Sequence, residues 1–125
     1  MDKLYIIIPA YNEEANIEAV AREWHSIAVS AGEQSRLVII DDGSKDNTYT
    51  KLQELQKDLL QLEVITKPNS GHGATVLYGY RYALENCANY IFQTDSDGQT
   101  LSSEFGEFWK NRKNFDFQIG YRKGR

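Results

Sequence analysis

The sequence has almost no cysteine and no long apolar run, and each shortage excludes a class of protein. A single cysteine, Cys87, rules out an internal disulfide and any Cys-x-x-Cys metal site, and it suits a reducing compartment. The longest apolar run, near Leu4–Ile8, is far shorter than the roughly 20 residues that a membrane-spanning helix requires. Pro9 and the acidic Glu13 and Glu14 follow too soon for a signal peptide. We therefore expect the chain itself to be soluble and cytoplasmic.

The sequence also lacks an excess of basic residues. It has 14 Lys and Arg against 18 Asp and Glu, which gives a formal net charge of −4. A nucleic-acid-binding surface usually needs a basic face, so no nucleic-acid partner is expected. The length of 125 residues and the balance of 41% hydrophobic and 26% charged residues are typical of one globular domain.

Short apolar runs alternate with amphipathic segments along the whole chain. Continuous or alternating apolar runs predict strands at Leu4–Ile8, Leu37–Ile40, Leu62–Thr66, Tyr90–Thr94 and Phe115–Ile119. Apolar residues spaced three and four apart predict helices between them, around residues 17–31, 49–59, 74–86 and 101–109. Asn12 is predicted to cap the first helix and Gly32 to end it. This order predicts an α/β fold with a mainly parallel sheet that helices cover on both faces.

Three polar clusters directly follow predicted strands: PAYNEE, DDGSKDNT and DSDGQT. In open parallel sheets, ligands bind at the carboxyl ends of the strands. We therefore expect the three clusters to meet at one edge of the sheet, with Asp42 and Asp95 close together.

Two carboxylates, Asp95 and Asp97, stand one residue apart after the fourth predicted strand. Their mutual repulsion is relieved if they bind a divalent cation, and oxygen ligands favour Mg²⁺ or Mn²⁺. Gln99 can add an amide oxygen to this set. The alternative interpretation is structural, because Asp-Ser-Asp-Gly is also good turn chemistry.

The other clusters also have a functional and a structural interpretation. Either Asp41 or Asp42 can accept hydrogen bonds from a ribose or a base, whereas Asp46 or Asn47 can cap the second helix. Tyr11 can cover a flat ring or simply pack, and Glu13 can be only an acid at a helix N-terminus. In KPNSGHGAT, Gly71 and Gly73 permit close backbone approach at a helix start that favours phosphate, or they only turn the chain.

The chain resembles the family 2, inverting glycosyltransferases of GT-A type, above all the dolichyl-phosphate mannose synthase-like and polyprenyl-phosphate glycosyltransferase branch. The resemblance rests on five stretches in order: IIIPAYNEEANI, VIIDDGSKDNT, KPNSGHGATVLYGYRYA, YIFQTDSDGQT and QIGYRKGR. It implies a GT-A fold, namely a Rossmann-like three-layer α/β/α arrangement with a mainly parallel sheet. It also implies an enzyme that transfers a sugar, with inversion, from a nucleotide-diphospho-sugar such as a UDP- or GDP-sugar.

The resemblance also implies particular site residues. The nucleotide-sugar site would consist of Pro9, Ala10, Tyr11, Glu13, Asp42, Gly71, His72, Gly73, Asp95, Ser96 and Arg122. Asp42 would contact the base, and the Mg²⁺ or Mn²⁺ ligands would be Asp95, Asp97 and Gln99. His72 stands where the family often has Lys or Arg, and Tyr121 replaces the Ser of a Gly-Ser-Arg stretch.

The family's catalytic domains extend well beyond the residues matched here. The chain is therefore expected to be a single domain over residues 1–125, the donor-binding N-terminal part of a longer enzyme, and inactive alone. Its acceptor is expected to be a polyprenyl or dolichyl phosphate or a cell-envelope glycan, with any membrane association confined to the full-length protein. The general base is expected to lie outside these residues.

Three other functions share parts of the pattern. The first is a non-catalytic nucleotide-binding module. The second is a metal-dependent sugar nucleotidyltransferase, whose Gly-rich loop would follow the first strand, where PAYNEE stands instead. The third is a haloacid-dehalogenase-type phosphatase, which needs Thr or Val at the position of Gln99.

Overall fold

The computed structural model describes residues 2–95 together with Phe105, Trp109 and Lys110. Four strands and three helices alternate along the described chain. They are β1 (Leu4–Ala10), α1 (Ile17–Ala31), β2 (Arg36–Asp42), α2 (Thr48–Leu55), β3 (Leu62–Lys67), α3 (His72–Glu85) and β4 (Tyr90–Gln93). Phe105, Trp109 and Lys110 are helical, as predicted for that region. The predicted fifth strand, Phe115–Ile119, lies outside the described residues.

All four strands are parallel and lie in the order β3-β2-β1-β4. β1 is therefore central, with Ile7 opposite Val38 of β2 on one side and Gln93 of β4 on the other. The predicted parallel α/β fold is confirmed. β2 and β3 are added on one side of β1, whereas β4 is added on the other side. This reversal of strand order creates a topological switch point at the carboxyl edge, between β1 and β4.

Helices cover both faces of the sheet. Alternate residues of β1 point to opposite sides: Leu4, Ile6 and Ile8 pack with α1 and α2, whereas Tyr5 and Ile7 pack with α3. The β1–β2 and β2–β3 connections run in one direction across the sheet, and the β3–β4 connection runs in the other. Because all three crossovers are right-handed, α1 and α2 lie on one face and α3 on the opposite face. The result is a three-layer α/β/α domain.

The close packing of α3 depends on Gly79. A Cβ atom added at this glycine would lie 2.4 Å from Cγ2 of Ile7 and 2.9 Å from Cδ1 of Ile40. Both isoleucines are fully buried. Since no other residue type leaves this space, Gly79 sets the distance between α3 and the sheet.

No helix in the part of the chain that the structure describes is long and apolar enough to cross a membrane.

Candidate functional site

A pocket of about 350 Å³ opens at the carboxyl edge of the sheet. This volume is within the usual range for small-molecule sites, roughly 300–1,000 Å³. Residues from the ends of β1, β2 and β4 and from the β3–α3 connection line it: Pro9, Ala10, Tyr11, Glu13, Asp42, Asn69, Gly71, His72, Thr75 and Asp95. Tyr11 and Glu13 of the first cluster, Asp42 of the second and Asp95 of the third therefore meet at one edge, as the positions of the clusters after the strands predicted.

The wall formed by the β1–α1 and β2–α2 loops is held together by Asn12. Its backbone N–H donates to Ser44 Oγ at 2.9 Å, and its side-chain Oδ1 accepts the N–H of Lys45 at 2.8 Å. Asn12 adopts a positive φ of 53°, which asparagine tolerates better than most residues. The predicted capping role of Asn12 is wrong, because α1 begins later, with Asn16 as its N-cap residue.

A second set of hydrogen bonds joins the same two loops. Glu14 accepts the backbone N–H of Asn47 and its side-chain Nδ2, both at 3.3 Å. The backbone N–H of Glu13 donates to Thr48 Oγ1 at 2.9 Å, and that of Glu14 donates to Asp46 at 3.3 Å. Most polar residues of the first two clusters therefore connect the loops, while Tyr11 and Glu13 line the pocket.

The adjacent aspartates at the end of β2 have different surroundings. Asp41 is 2% exposed and does not line the pocket; it accepts the N–H of Ser44 at 3.2 Å and Oγ1 of Thr66 at 2.8 Å. Asp42 lines the pocket, as the resemblance implied. Successive strand residues point to opposite faces, so only one of the pair can face the pocket.

The carboxylate of Asp42 is surrounded by donors from the β3–α3 loop. Oδ1 accepts Nζ of Lys67 at 2.8 Å and the N–H of Ser70 at 2.9 Å, while Oδ2 accepts the N–H of Gly71 at 3.0 Å. Nδ2 of Asn69 approaches Oδ2 at 3.4 Å and the backbone oxygen of Asp42 at 3.0 Å. Asp42 thus organises the entire loop from Lys67 to Gly71.

These contacts determine the ionisation of Asp42. Burial by itself raises the pKa of this carboxyl, but hydrogen bonds from Lys67, Ser70 and Gly71 together bring the pKa below its ordinary value. The side chains of Asp42 and Lys67 are only 6% and 13% exposed. Asp42 is therefore a buried, charged and paired group at neutral pH.

The start of α3 lies beside the end of β4. Gly71, with φ of 99°, immediately precedes the helix, and His72 is its first residue. Nε2 of His72 lies 3.7 Å from Oδ1 of Asp95. Gly73 is not among the residues that line the pocket. His72 and Asp95 thus form the half-exposed rim of the pocket.

Asp95 is the carboxylate of this rim that can receive a cation. Its Oδ1 accepts Nε2 of buried Gln93 at 3.1 Å, which orients the group, and its side chain is 35% exposed. Within residues 2–95 and the three helical residues beyond them, no cluster of three or more His, Cys, Asp or Glu side chains suits a metal ion. One exposed carboxylate does fit Mg²⁺ chemistry, since Mg²⁺ typically uses one or two protein carboxylates plus substrate phosphates.

Two pocket residues, Asn69 and Thr75, were not predicted as site residues. Asn69 follows β3, so the strand-end rule that identified the other clusters also applies to it. Thr75 is fully buried, and its Oγ1 donates to the Gly71 carbonyl at 2.9 Å; its sequence context carries no comparable signal. The predicted site residues Ser96, Asp97, Gln99 and Arg122 lie outside the described residues.

The fold and the pocket together define a parallel α/β domain with a pocket at the carboxyl edge of the sheet, the edge at which such folds bind ligands. Residues 5–117 match the family described as glycosyl transferase family 2, and the chain therefore belongs to that family. The structure is similar to that of TarS residues 1–349 from S. aureus, with a TM-score of 0.58, 22% identity, and coverage of 88% of this chain and 33% of that one. The GT-A fold prediction is confirmed.

Two curated relatives show which branch of the family is similar. A UDP-N-acetylglucosamine–dolichyl-phosphate N-acetylglucosaminyltransferase of Methanococcus voltae is 34% identical over 112 residues, 78% of this chain and 43% of the relative. An undecaprenyl-phosphate 4-deoxy-4-formamido-L-arabinose transferase of Pseudomonas paraeruginosa is 29% identical over 106 residues, 83% of this chain and 30% of the relative. The chain thus spans less than half the length of these two relatives, and the predicted branch is confirmed.

Proposed function

We propose that this chain binds the nucleotide-diphospho-sugar donor of a glycosyltransferase. The observation that carries the proposal is one pocket, in a family 2 chain, that brings together Tyr11, Asp42, His72 and Asp95. The ring of Tyr11, 42% exposed, offers a surface for the flat base. The start of α3 offers backbone N–H groups and a positive dipole end to the diphosphate.

The donor would bind together with Mg²⁺ or Mn²⁺. Asp95 would hold the metal, with Asp97 and Gln99 as the further ligands that the resemblance implies. When bound, the cation would neutralise negative charge on the leaving diphosphate. Too few protein oxygens are proposed for a tight metal site without the nucleotide, so metal and nucleotide should strengthen each other's binding by the same factor.

For the whole protein, we propose sugar transfer with inversion to a polyprenyl phosphate. The names of the two curated relatives, which specify dolichyl phosphate and undecaprenyl phosphate, support this acceptor. Such an acceptor is already anionic and needs no strong general base. A cytoplasmic location, at a membrane face in the whole protein, completes the proposal.

The donor site is tested by titrating UDP and GDP into the chain by calorimetry, with and without Mn²⁺. In the wild type, Mn²⁺ should raise the affinity for the preferred nucleotide about five- to 150-fold, the usual range of coupling between two sites. Asp95→Asn keeps the shape of the side chain but removes its charge, so the enhancement should largely disappear.

Asp58→Asn is the matched control, because Asp58 is 70% exposed and lies outside the pocket lining. It should retain the full effect of Mn²⁺. Equal enhancement in wild type and Asp95→Asn would contradict the metal role of Asp95. Failure of every nucleoside diphosphate to bind would contradict the donor site itself.

A further inference from the structure

β3 forms an edge of the sheet, and its outer side has no partner strand in the part of the chain that the structure describes. In a parallel ladder, every second residue of a strand directs its N–H and C=O toward the neighbouring strand. The N–H of Leu37 in β2 donates to the carbonyl of Gln61 at 2.9 Å, so the odd-numbered residues of β3 bond to β2. The even-numbered residues of β3, namely Leu62, Val64 and Thr66, therefore direct their backbone groups outward.

Only the middle of this edge is open. At one end, both backbone groups of Leu62 are hydrogen-bonded within the chain, at 3.1 and 3.3 Å. At the other end, Pro68 has no N–H, and its carbonyl accepts Nζ of Lys67 at 3.1 Å. Among the described residues, none is hydrogen-bonded to the outward backbone groups of Val64 and Thr66. The open edge therefore consists of the N–H and C=O groups of these two residues.

Antiparallel pairing with β3 of a second copy satisfies all of these groups in one register. If Val64 of each copy lies opposite Thr66 of the other, each such pair exchanges both of its N–H···O=C bonds. The two-fold axis then passes at Ile65, which lies opposite its own counterpart. Sliding the strands by two residues would bring Thr66 opposite Leu62, which is already bonded, or Val64 opposite Pro68, which has no N–H. The open edge is therefore complementary to itself in a single register.

The same register places opposite charges across the strand pair. Glu63 of each copy would lie directly opposite Lys67 of the other, and opposite charges at such positions are favourable. Each of the two keeps its ion pair within its own chain, Glu63 with Arg36 at 3.3 Å and Lys67 with Asp42 at 2.8 Å. Charge therefore favours the register that the backbone groups select.

An exposed aromatic side chain lies beside the proposed two-fold axis. The hydroxyl of Tyr82 in α3 donates to the carboxylate of Glu63. Tyr78 lies one helical turn before Tyr82, and α3 runs antiparallel to β3, so Tyr78 lies about two strand residues farther along, near Ile65. Tyr78 is 43% exposed. Pairing through β3 would bring the Tyr78 rings of the two copies together on this face of the sheet.

We propose that the chain forms a two-fold symmetric dimer through antiparallel pairing of β3, with the axis at Ile65. The sheets of the two copies would join into one continuous sheet. The contact is isologous and closes on itself, so it stops at a dimer instead of growing into a fibre. An interface built from one short strand and one aromatic residue per copy is small, and interfaces below about 1,200 Å² are typically weak and transient. The dimer should therefore form reversibly at high protein concentration.

The first experiment is sedimentation equilibrium of the full chain at concentrations up to about 1 mM, which detects even weak association. The average mass should rise from 14.3 kDa toward twice that value and no further. A chain that stays monomeric at every concentration would overturn the inference and leave the edge of β3 to a strand of another protein. Growth beyond the dimer would overturn the two-fold arrangement.

Two variants of Val64 test the role of the backbone. Val64→Pro removes an N–H that faces outward, so the ladder to β2 is kept, as for proline on edge strands in general. The dimer loses two hydrogen bonds, one from each copy, and should dissociate about tenfold more readily. Val64→Thr is the matched control, because it changes the side chain but keeps the N–H, and it should dimerise as the wild type does. A Val64→Pro variant that has native circular dichroism and dimerises like Val64→Thr would overturn the inference.

Disulfide cross-linking tests the register without depending on the proline variant. The exposed native thiol is first removed by Cys87→Ser. In that background, Ile65→Cys places two thiols opposite each other at a pair without hydrogen bonds, where the Cα atoms are about 4.5 Å apart, within the usual disulfide range. Mild oxidation should therefore give a covalent dimer on a non-reducing gel. Gln53→Cys, at an exposed position of α2, is the control and should stay monomeric. Absence of the Ile65→Cys dimer, or equal cross-linking of both variants, would overturn the proposed register.

Discussion

Adding a single methyl group at position 79 should destabilise the domain. Gly79→Ala places a Cβ 2.4 Å from Cγ2 of Ile7 and 2.9 Å from Cδ1 of Ile40, both at 0% exposure. Overpacking of this kind typically costs about 1–3 kcal/mol. Alanine recovers up to about 1 kcal/mol through its higher helix propensity. We therefore expect the free energy of unfolding to fall by up to about 2 kcal/mol.

The assay is denaturant unfolding of the wild type and variants, followed by circular dichroism. Gly73→Ala is the matched control, because it makes the same exchange in the same helix with no atom within 4 Å of the new Cβ. It should leave stability unchanged or slightly increased. Equal unfolding midpoints for Gly79→Ala and Gly73→Ala would refute the close-packing argument.

The double variant Ile40→Val/Gly79→Ala tests the contact further. Ile40→Val removes Cδ1, one of the two atoms that the new Cβ meets, at a usual cost of about 0.5–1.5 kcal/mol. The penalty for Gly79→Ala should be smaller in this background, but it should not vanish, because Cγ2 of Ile7 remains. Strict additivity of the two changes would show that Ile40 does not limit the space.

Two further predictions concern buried charges and pH. Lys67→Met leaves the Asp42 carboxylate without its cation and should lower the free energy of unfolding by about 3 kcal/mol. An unchanged denaturant midpoint would contradict this prediction. Neutral His25 accepts the backbone N–H of Gln61 at 3.2 Å, and burial lowers the pKa of His25 below its ordinary value of 6.5. The unfolded state therefore binds the proton more tightly, and stability should decrease as the pH falls below about 6.5 toward the folded-state pKa. His25→Gln should weaken this dependence in unfolding curves between pH 7 and 5. Identical pH profiles for His25→Gln and the wild type would contradict the role of His25.

Much of the fold follows directly from local sequence patterns. Parallel strands buried on both faces require continuous apolar runs, so LYIII and LVII could be recognised without any knowledge of their neighbours. The amphipathic spacing of Ile17, Val20 and Trp24 likewise predicted α1, and all three are buried. The alternation of the two element types was enough to place Asp42 and Asp95 at the same edge of the sheet.

The sequence left open which members of each polar cluster face the pocket. Asp41 and Asp42 are adjacent and chemically identical, and only the packing of β2 turns Asp42 toward the pocket and Asp41 toward Ser44 and Thr66. Asn12 was predicted to be a helix cap from its position before Glu13 and Glu14. Its actual partner, the N–H of Lys45, is 33 positions away along the chain and could not be recognised from the local pattern. Local patterns carry no information about such partners.

The sequence by itself therefore determined the elements, their order and the edge at which the pocket opens, because these depend on periodicity and connection rules. Only the tertiary structure decided that Asn69 and Thr75 line the pocket, that the Asp42 carboxylate accepts hydrogen bonds from the β3–α3 loop, and that Gly79 must lack a side chain. These features depend on distances of a few ångströms between segments that are far apart in sequence. Such distances exist only after the helices have packed against the sheet.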